Sequence, residues 1–205
     1  MKSSEAKAPA QQDRPRPKWE QEGLLWAGAE EASRFFAGKA AVQRAAKKIA
    51  QLLDQNGIPY AITGGMALNA YGFKRVTNDV DLLLTQAGRD AFRALHPEPT
   101  ELGVRIDIVV TGEYPGDRQP KPVAYPDPAT TAIRGEHWAM LPLPLVLELK
   151  LASGISAPHR LKDLADVLET IRALKLPAEL VDQLNPYVQD KYRELWQAAQ
   201  AKERD

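Results

Sequence analysis

Between residues 39 and 56 apolar side chains return at helical spacing. Ala41, Val42, Ala45, Ile49, Leu52 and Leu53 share one face, Lys and Arg lie opposite, and Gly57 stands where such a helix would stop. The period then shortens. IPYAIT (58–63) is a short β-rich run, Gly64-Gly65 follows, and MALNAY reads as the first turns of a short helix. DVDLLL predicts a second strand over Asp79 to Leu84, and VRIDIVVTG predicts a third from Val104 to Gly112, with a modest helical piece, GRDAFRAL, between them. Residues 113–128 hold five prolines, which forbid a long regular element. So long an irregular connection in a compact domain points to function. Ala129 to Leu141 predicts short strands around Trp138. From Leu145 the pattern is helical: LVLELKLA, then HRLKDLADVLETIRAL, then a last run from Ala178 to Ala201 broken at Pro186. The fold class expected is α+β.

The termini divide off. Residues 1–18, rich in Pro, Gln, Lys and Arg, read as a disordered tail, which leaves open either RNA contact or simple solvation. Trp19 to Phe36 combines helix formers with large apolar groups and is expected to dock on something. The division expected is a tail (1–18), a core with N-terminal helices (19–141) and a C-terminal helical extension (142–205).

Composition narrows the chemistry. The 205 residues suit one domain, or one with a small appendage, and 27 Lys+Arg balance 27 Asp+Glu. A net charge of zero argues against a coat for nucleic acid or an anionic membrane. With no cysteine there is no disulfide, no thiolate metal site and no cysteine nucleophile. No run approaches a membrane span, and the polar start lacks the apolar stretch of an export signal, so the expected compartment is cytoplasmic, without a membrane partner. His96, His137 and His159 lack metal-site spacing and read as surface or satisfied side chains.

The carboxylates carry the chemistry. Asp79 and Asp81, at i and i+2 of a strand, share one face. They repel unless a cation lies between them, and hard oxygen ligands suit Mg²⁺ or Mn²⁺. Asp107 sits mid-strand among Ile106, Ile108 and Val110, an unusual place for a residue of poor β-propensity. If the two strands are neighbours the three acids converge, and such a set can hold one or two ions for in-line displacement at phosphorus. The plainer alternative has Asp79 opening a turn, Asp81 ending a strand and Asp107 pairing with Arg105. Gly64-Gly65 adds weight to the first reading. Glycines between strand and helix let the backbone approach a phosphate, and a helix start offers free N–H groups.

Together, AITGGMALNAYGFKRVTNDVDLLL resembles the signature of the nucleotidyltransferase superfamily, the DNA polymerase β-like fold. It is most similar to the AbiEii-type abortive-infection toxins and the small antibiotic nucleotidyltransferases, which share a strand, Gly-Gly, helix and DxD pattern. The resemblance covers residues 58–112 and continues into LPLVLELKLASG and HRLKDLADVLETI, similar to the Lys-bearing and Arg-x-Lys-Asp-bearing helices of the AbiEii group. It implies a small mixed β-sheet flanked by helices. It also implies transfer of a nucleoside monophosphate from an NTP to an acceptor, with loss of pyrophosphate. Asp79, Asp81 and Asp107 would be catalytic and hold Mg²⁺ or Mn²⁺, and Gly64 and Gly65 would bind the nucleotide phosphates. Arg75, Lys150, Arg160 and Lys162 are further candidates for the nucleotide. Each of these cations has an ordinary alternative, solvation for Lys150 and helix pairs with Asp163 and Asp166 for Arg160 and Lys162. The acceptor, whether small molecule, protein or RNA end, stays open. So do a toxin role with an antitoxin-type protein partner, and a non-catalytic nucleotide-binding or partner-regulating module. No segment resembles the tRNA-, poly(A)- or aminoglycoside-binding domains of larger relatives, and loop 113–128 resembles nothing in the antibiotic enzymes.

Overall fold

The architecture is that of a computed structural model, which describes residues 40–201. The expected tail and the Trp19 to Phe36 stretch lie outside those residues. Helix α1 (40–55) buries Val42, Ala45, Ala46, Ile49 and Leu53, the apolar stripe of its sequence, and Gly57 ends the turn after it at φ +62°. Strand β1 (Tyr60–Ile62), helix α2 (Gly64–Ala70), strand β2 (Asp79–Leu84) and helix α3 (Gln86–Leu95) follow. The two-residue strand β3 (Thr100–Glu101) and strand β4 (Val104–Val110) form a hairpin, turned by Leu102 and Gly103 with positive φ. A four-residue helix α4 (Pro128–Thr131) precedes the short pair β5 (Ile133–Arg134) and β6 (Ala139–Met140) around Trp138.

Among the described residues six strands form one sheet in the order β3-β4-β2-β1-β6-β5. It is mixed: β2 runs parallel to β4 and antiparallel to β1, and β1 runs parallel to β6. Period-two alternation sorts each strand between the two faces. Val80, Leu82, Leu84 and Ile106 join Ile49, Leu53 and Phe92 in one apolar cluster. Ala61 and Leu83 join the opposite cluster, which is supplied by the C-terminal helices. Asp79 and Asp81 share the phase of Leu83. The acids therefore lie on the sheet face that the C-terminal helices cover.

Those helices are α5 (Leu143–Ser156), α6 (Leu161–Leu174) and α7 (Pro186–Gln200). Leu147, Leu151, Val167, Ile171, Val188 and Tyr192 pack with Leu83. Two stretches depart from expectation. Gly64 and Gly65 are already helical, with Thr63 as the cap. Pro186 opens α7 instead of breaking it, because a first-turn proline has no N–H to leave unpaired, and a 3₁₀ turn (Ala178–Gln183) leads up to it. No described helix is long and apolar enough to cross a membrane.

Candidate functional site

Strands β2 and β4 pair in parallel with Asp81 opposite Asp107 and Asp79 opposite Arg105. The neighbour relation needed for the acids to converge is thus present. Asp81 is the deepest of the three. Burial first, then the charges of Asp79 and Asp107, push its carboxyl up to about 6, against the pull of Lys150 and a hydrogen bond donated by the Gly65 backbone N–H. Burial also raises Asp107, opposed by Arg105. Thr77 Oγ1 donates to Asp79 Oδ1 at 2.9 Å and orients that carboxylate.

The paired glycines serve this cluster. Gly64 has φ +60°, and a Cβ there would overlap the Asp81 carboxylate. A Cβ on Gly65 would lie 2.9 Å from Thr77 Oγ1 and 3.4 Å from Arg75 Cζ. Only hydrogen at both positions lets α2 begin directly against Asp81 and Thr77.

Facing the acids is a second cluster. Lys150 on α5 donates to Asp163 Oδ1 at 2.9 Å and to Asp166 Oδ2 at 2.7 Å, both on α6. Arg75 pairs with the same Asp166 oxygen, and Arg160 Nε donates to Asp163 Oδ2 at 2.9 Å. Ser153 Oγ completes Asp163 at 2.7 Å. Burial alone would raise Asp163, but Lys150, Ser153 and Arg160 outweigh it and hold the carboxyl below its ordinary range. Arg160 and Asp163 do form an i, i+3 pair, whereas Asp166 reaches across elements to Arg75 and Lys150. Gly154 lets α6 press on α5 here, since a Cβ would overlap Leu164.

The two clusters are walls of one open cleft of about 320 Å³. Its lining includes Gly64, Gly65, Arg75, Asp79, Asp81, Asp107, Lys150, Arg160 and Lys162, so every candidate site residue reaches one space. Lys162 is exposed and has no ion pair among the described residues. Tyr125, Ser153, His159, Asp163 and Asp166 line it as well. Sequence reasoning took His159 for a surface or satisfied side chain and Asp163 and Asp166 for helix pairs. The acids' spacing after Arg160 was a usable signal, whereas Tyr125 had none. His96 is satisfied, stacked on Phe92 and bonded to Glu101, and His137 is exposed.

The acids can be tested as cation ligands by what lies between them. Among the described residues no three carboxylate or imidazole groups close around a common point. Asp79 and Asp107 instead hold the Arg105 guanidinium, whose Nη2 lies 3.1 Å from Asp79 Oδ2 and 2.6 Å from Asp107 Oδ2. The plainer reading of Asp107 as a partner of Arg105 is therefore also met. Arg105 is 64% exposed at its side chain and able to leave. A set of hard oxygen donors that already gathers a cation, with Asp81 short of counter-charge beside it, fits a divalent ion.

No protein-family model and no curated protein sequence matches the chain. Solved structures do. The solution structure of the antibiotic-resistance factor ANT(2'')-Ia aligns with 78% of this chain and 97% of its own, at 16% identity and a TM-score of 0.50. The crystal structure of ANT(2'')-Ia in complex with adenylyl-2''-tobramycin aligns with 75% of this chain and 95% of its own, at 15% identity and a TM-score of 0.44. At such identity the likeness concerns the backbone alone. A mixed sheet with its acids on parallel neighbouring strands, helices on both faces and a helical C-terminal part make this a chain of the nucleotidyltransferase fold.

Proposed function

We propose that this chain is a nucleotidyltransferase, moving a nucleoside monophosphate from an NTP to an acceptor with release of pyrophosphate. The observation that carries the reading is the opposition, across one cleft, of Asp79, Asp81 and Asp107 to Lys150, Arg75 and Arg160. Carboxylates and fixed cations facing each other suit a ligand that is a polyanion at one end and reacts at the other.

Asp79, Asp81 and Asp107 would hold Mg²⁺ or Mn²⁺, which when bound neutralises the triphosphate and polarises the phosphorus under attack. The chain's own residues do the remainder. Lys150, Arg75 and Arg160 bind phosphate oxygens, and Asp163 and Asp166 hold those cations in place before substrate arrives, so little ordering is left for binding. Lys162, free at the rim, adds charge. Asp107 is more exposed than Asp81, and its raised carboxyl suits it to accept the proton of an incoming hydroxyl. The run of Arg160, Lys162, Asp163 and Asp166 on one side of Lys150 supports the AbiEii-like assignment within the fold. The acceptor and an antitoxin-type partner are assigned by no residue of this site.

Pyrophosphate release tests the proposal. Incubation with each NTP, Mg²⁺ or Mn²⁺ and cell extract should release pyrophosphate from the wild type and not from Asp79→Ala or Asp107→Ala. NTP binding without release, equal in all three proteins, would favour the non-catalytic module.

A further inference from the structure

Loop 113–128 belongs to none of the catalytic elements, yet it is tightly built. At its base Gly112 N donates to Tyr125 O at 2.9 Å, Tyr125 N donates to Glu113 O at 2.9 Å, and Thr111 Oγ1 donates to Pro126 O at 3.1 Å. Inside it Lys121 Nζ donates to Pro115 O and Gln119 O, both at 2.8 Å. Gly116 seats the loop on α5, where a Cβ would overlap Ser156 Oγ and lie 2.7 Å from Ser153 O. Asn185 Nδ2 fastens the far side to Pro122 O at 3.2 Å. A loop closed at its base and pinned at three further points presents its side chains at fixed positions.

One of them enters the cleft. The ring of Tyr125 packs against the apolar cluster of the C-terminal helices. Its hydroxyl makes no hydrogen bond among the described residues, although the residue lines the cleft. The charges acting on it are Asp81 from the acid wall and Arg160 and Asp163 from the cationic wall, with Glu113 of its own loop. A phenol between those walls and without a partner is a donor awaiting an acceptor.

We propose that the Tyr125 hydroxyl is a ligand of the nucleotide's phosphate chain, donating a hydrogen bond to a non-bridging phosphate oxygen between the Asp81 and Arg160 sides of the cleft. The inference rests on the nucleotidyl-transfer reading of the same site. A triphosphate held between the three acids and Lys150 and Arg160 occupies the cleft that Tyr125 also lines. Burial, then the charge of Asp81, push the phenol up to about 12, so it carries its proton throughout the neutral range. It adds a directed donor without adding charge, which distinguishes it from the cations around it.

The test is calorimetric titration of the full chain with Mg²⁺ plus a non-hydrolysable NTP analogue, and separately with Mg²⁺ plus inorganic tripolyphosphate. Tyr125→Phe keeps the packed ring and should keep the melting temperature. It should weaken both ligands by the same factor, about tenfold, as befits one hydrogen bond to a charged group. Replacement of Tyr125 by 4-aminophenylalanine, which retains a donor on the ring, should recover most of the loss. Unchanged affinity of Tyr125→Phe for tripolyphosphate, with or without loss of the nucleotide, overturns the assignment to phosphate and leaves nucleotidyl transfer standing. Failure of the wild type to bind either ligand overturns both.

Discussion

Gly64 lies directly against the carboxylate of Asp81, with no room for a side chain between them. The glycine pair thus sets the place of the protein's own acid, and the Gly65 backbone N–H pulls the Asp81 carboxyl down against the burial that raises it. Gly64→Ala must relax a left-handed backbone and move Asp81 together. We expect a stability loss of about 2 kcal/mol, measured by urea unfolding. Displacement of a reacting group should lower nucleotidyl transfer by about a hundredfold or more, measured as kcat/KM.

Ionised Asp81 is costly to the fold, because burial and the neighbouring acids both disfavour its charge. Its folded carboxyl titrates at about 6, above the ordinary 3.8, so the folded chain binds this proton more tightly than the unfolded one. Raising the pH from about 4 to about 6 therefore removes stability, and above about 6 the loss is complete. In a chelator near pH 7.5, Asp81→Asn should be more stable than wild type by about 2 kcal/mol, and the difference should vanish near pH 4. Unfolding curves at the two pH values check this.

Arg105 competes with any cation for Asp79 and Asp107. Arg105→Met removes that competitor and should bind Mn²⁺ about three- to tenfold more tightly, read from the free-ion resonance signal. Weaker binding would mean that the guanidinium organises the acids instead of occupying them.

Asp166 neutralises Arg75 and Lys150 in a place where side-chain exposure is only 10% for the aspartate and 11% for the lysine. Asp166→Ala leaves Arg75 without its counter-charge and Lys150 with Asp163 alone, and should cost about 3 kcal/mol. Its neighbour Asp163 is held below 3.8, so its contribution is fully present above that pH and is lost as the pH falls through the lower folded value. Acid titration of Asp163→Asn beside wild type should show the two stabilities converging only at the acid end.

Much of this was legible in the residues. DVDLLL marked β2 to the residue because Asp79 and Asp81 alternate with the apolar Val80 and Leu82, and the leucines that close the run are buried on both faces of the sheet. The stripe of α1, the burial of Leu147 and Leu151 and the acid on β4 came from the same periodicities. What was hidden depends on chain reversal. Arg75 and Asp166 are 91 positions apart, and no local pattern announces that one will neutralise the other. Arg105 was visible as a partner of Asp107, but its bridge to Asp79 needs the parallel register. Tyr125 sits in a proline-rich loop without a period, so its place followed only from the hydrogen bonds that close the loop.

Nucleotidyl transfer moves the α phosphorus together with the nucleoside and leaves the β and γ phosphorus behind as pyrophosphate. The direct measurement compares α-labelled with γ-labelled NTP, incubated with the wild type, Mg²⁺ or Mn²⁺ and cell extract, and follows the label retained on any acceptor. Retention of the α label and release of the γ label as pyrophosphate are expected from the wild type, and neither from Asp79→Ala. Retention of the γ label, or α labelling that survives in Asp79→Ala, would contradict nucleotidyl transfer at this site.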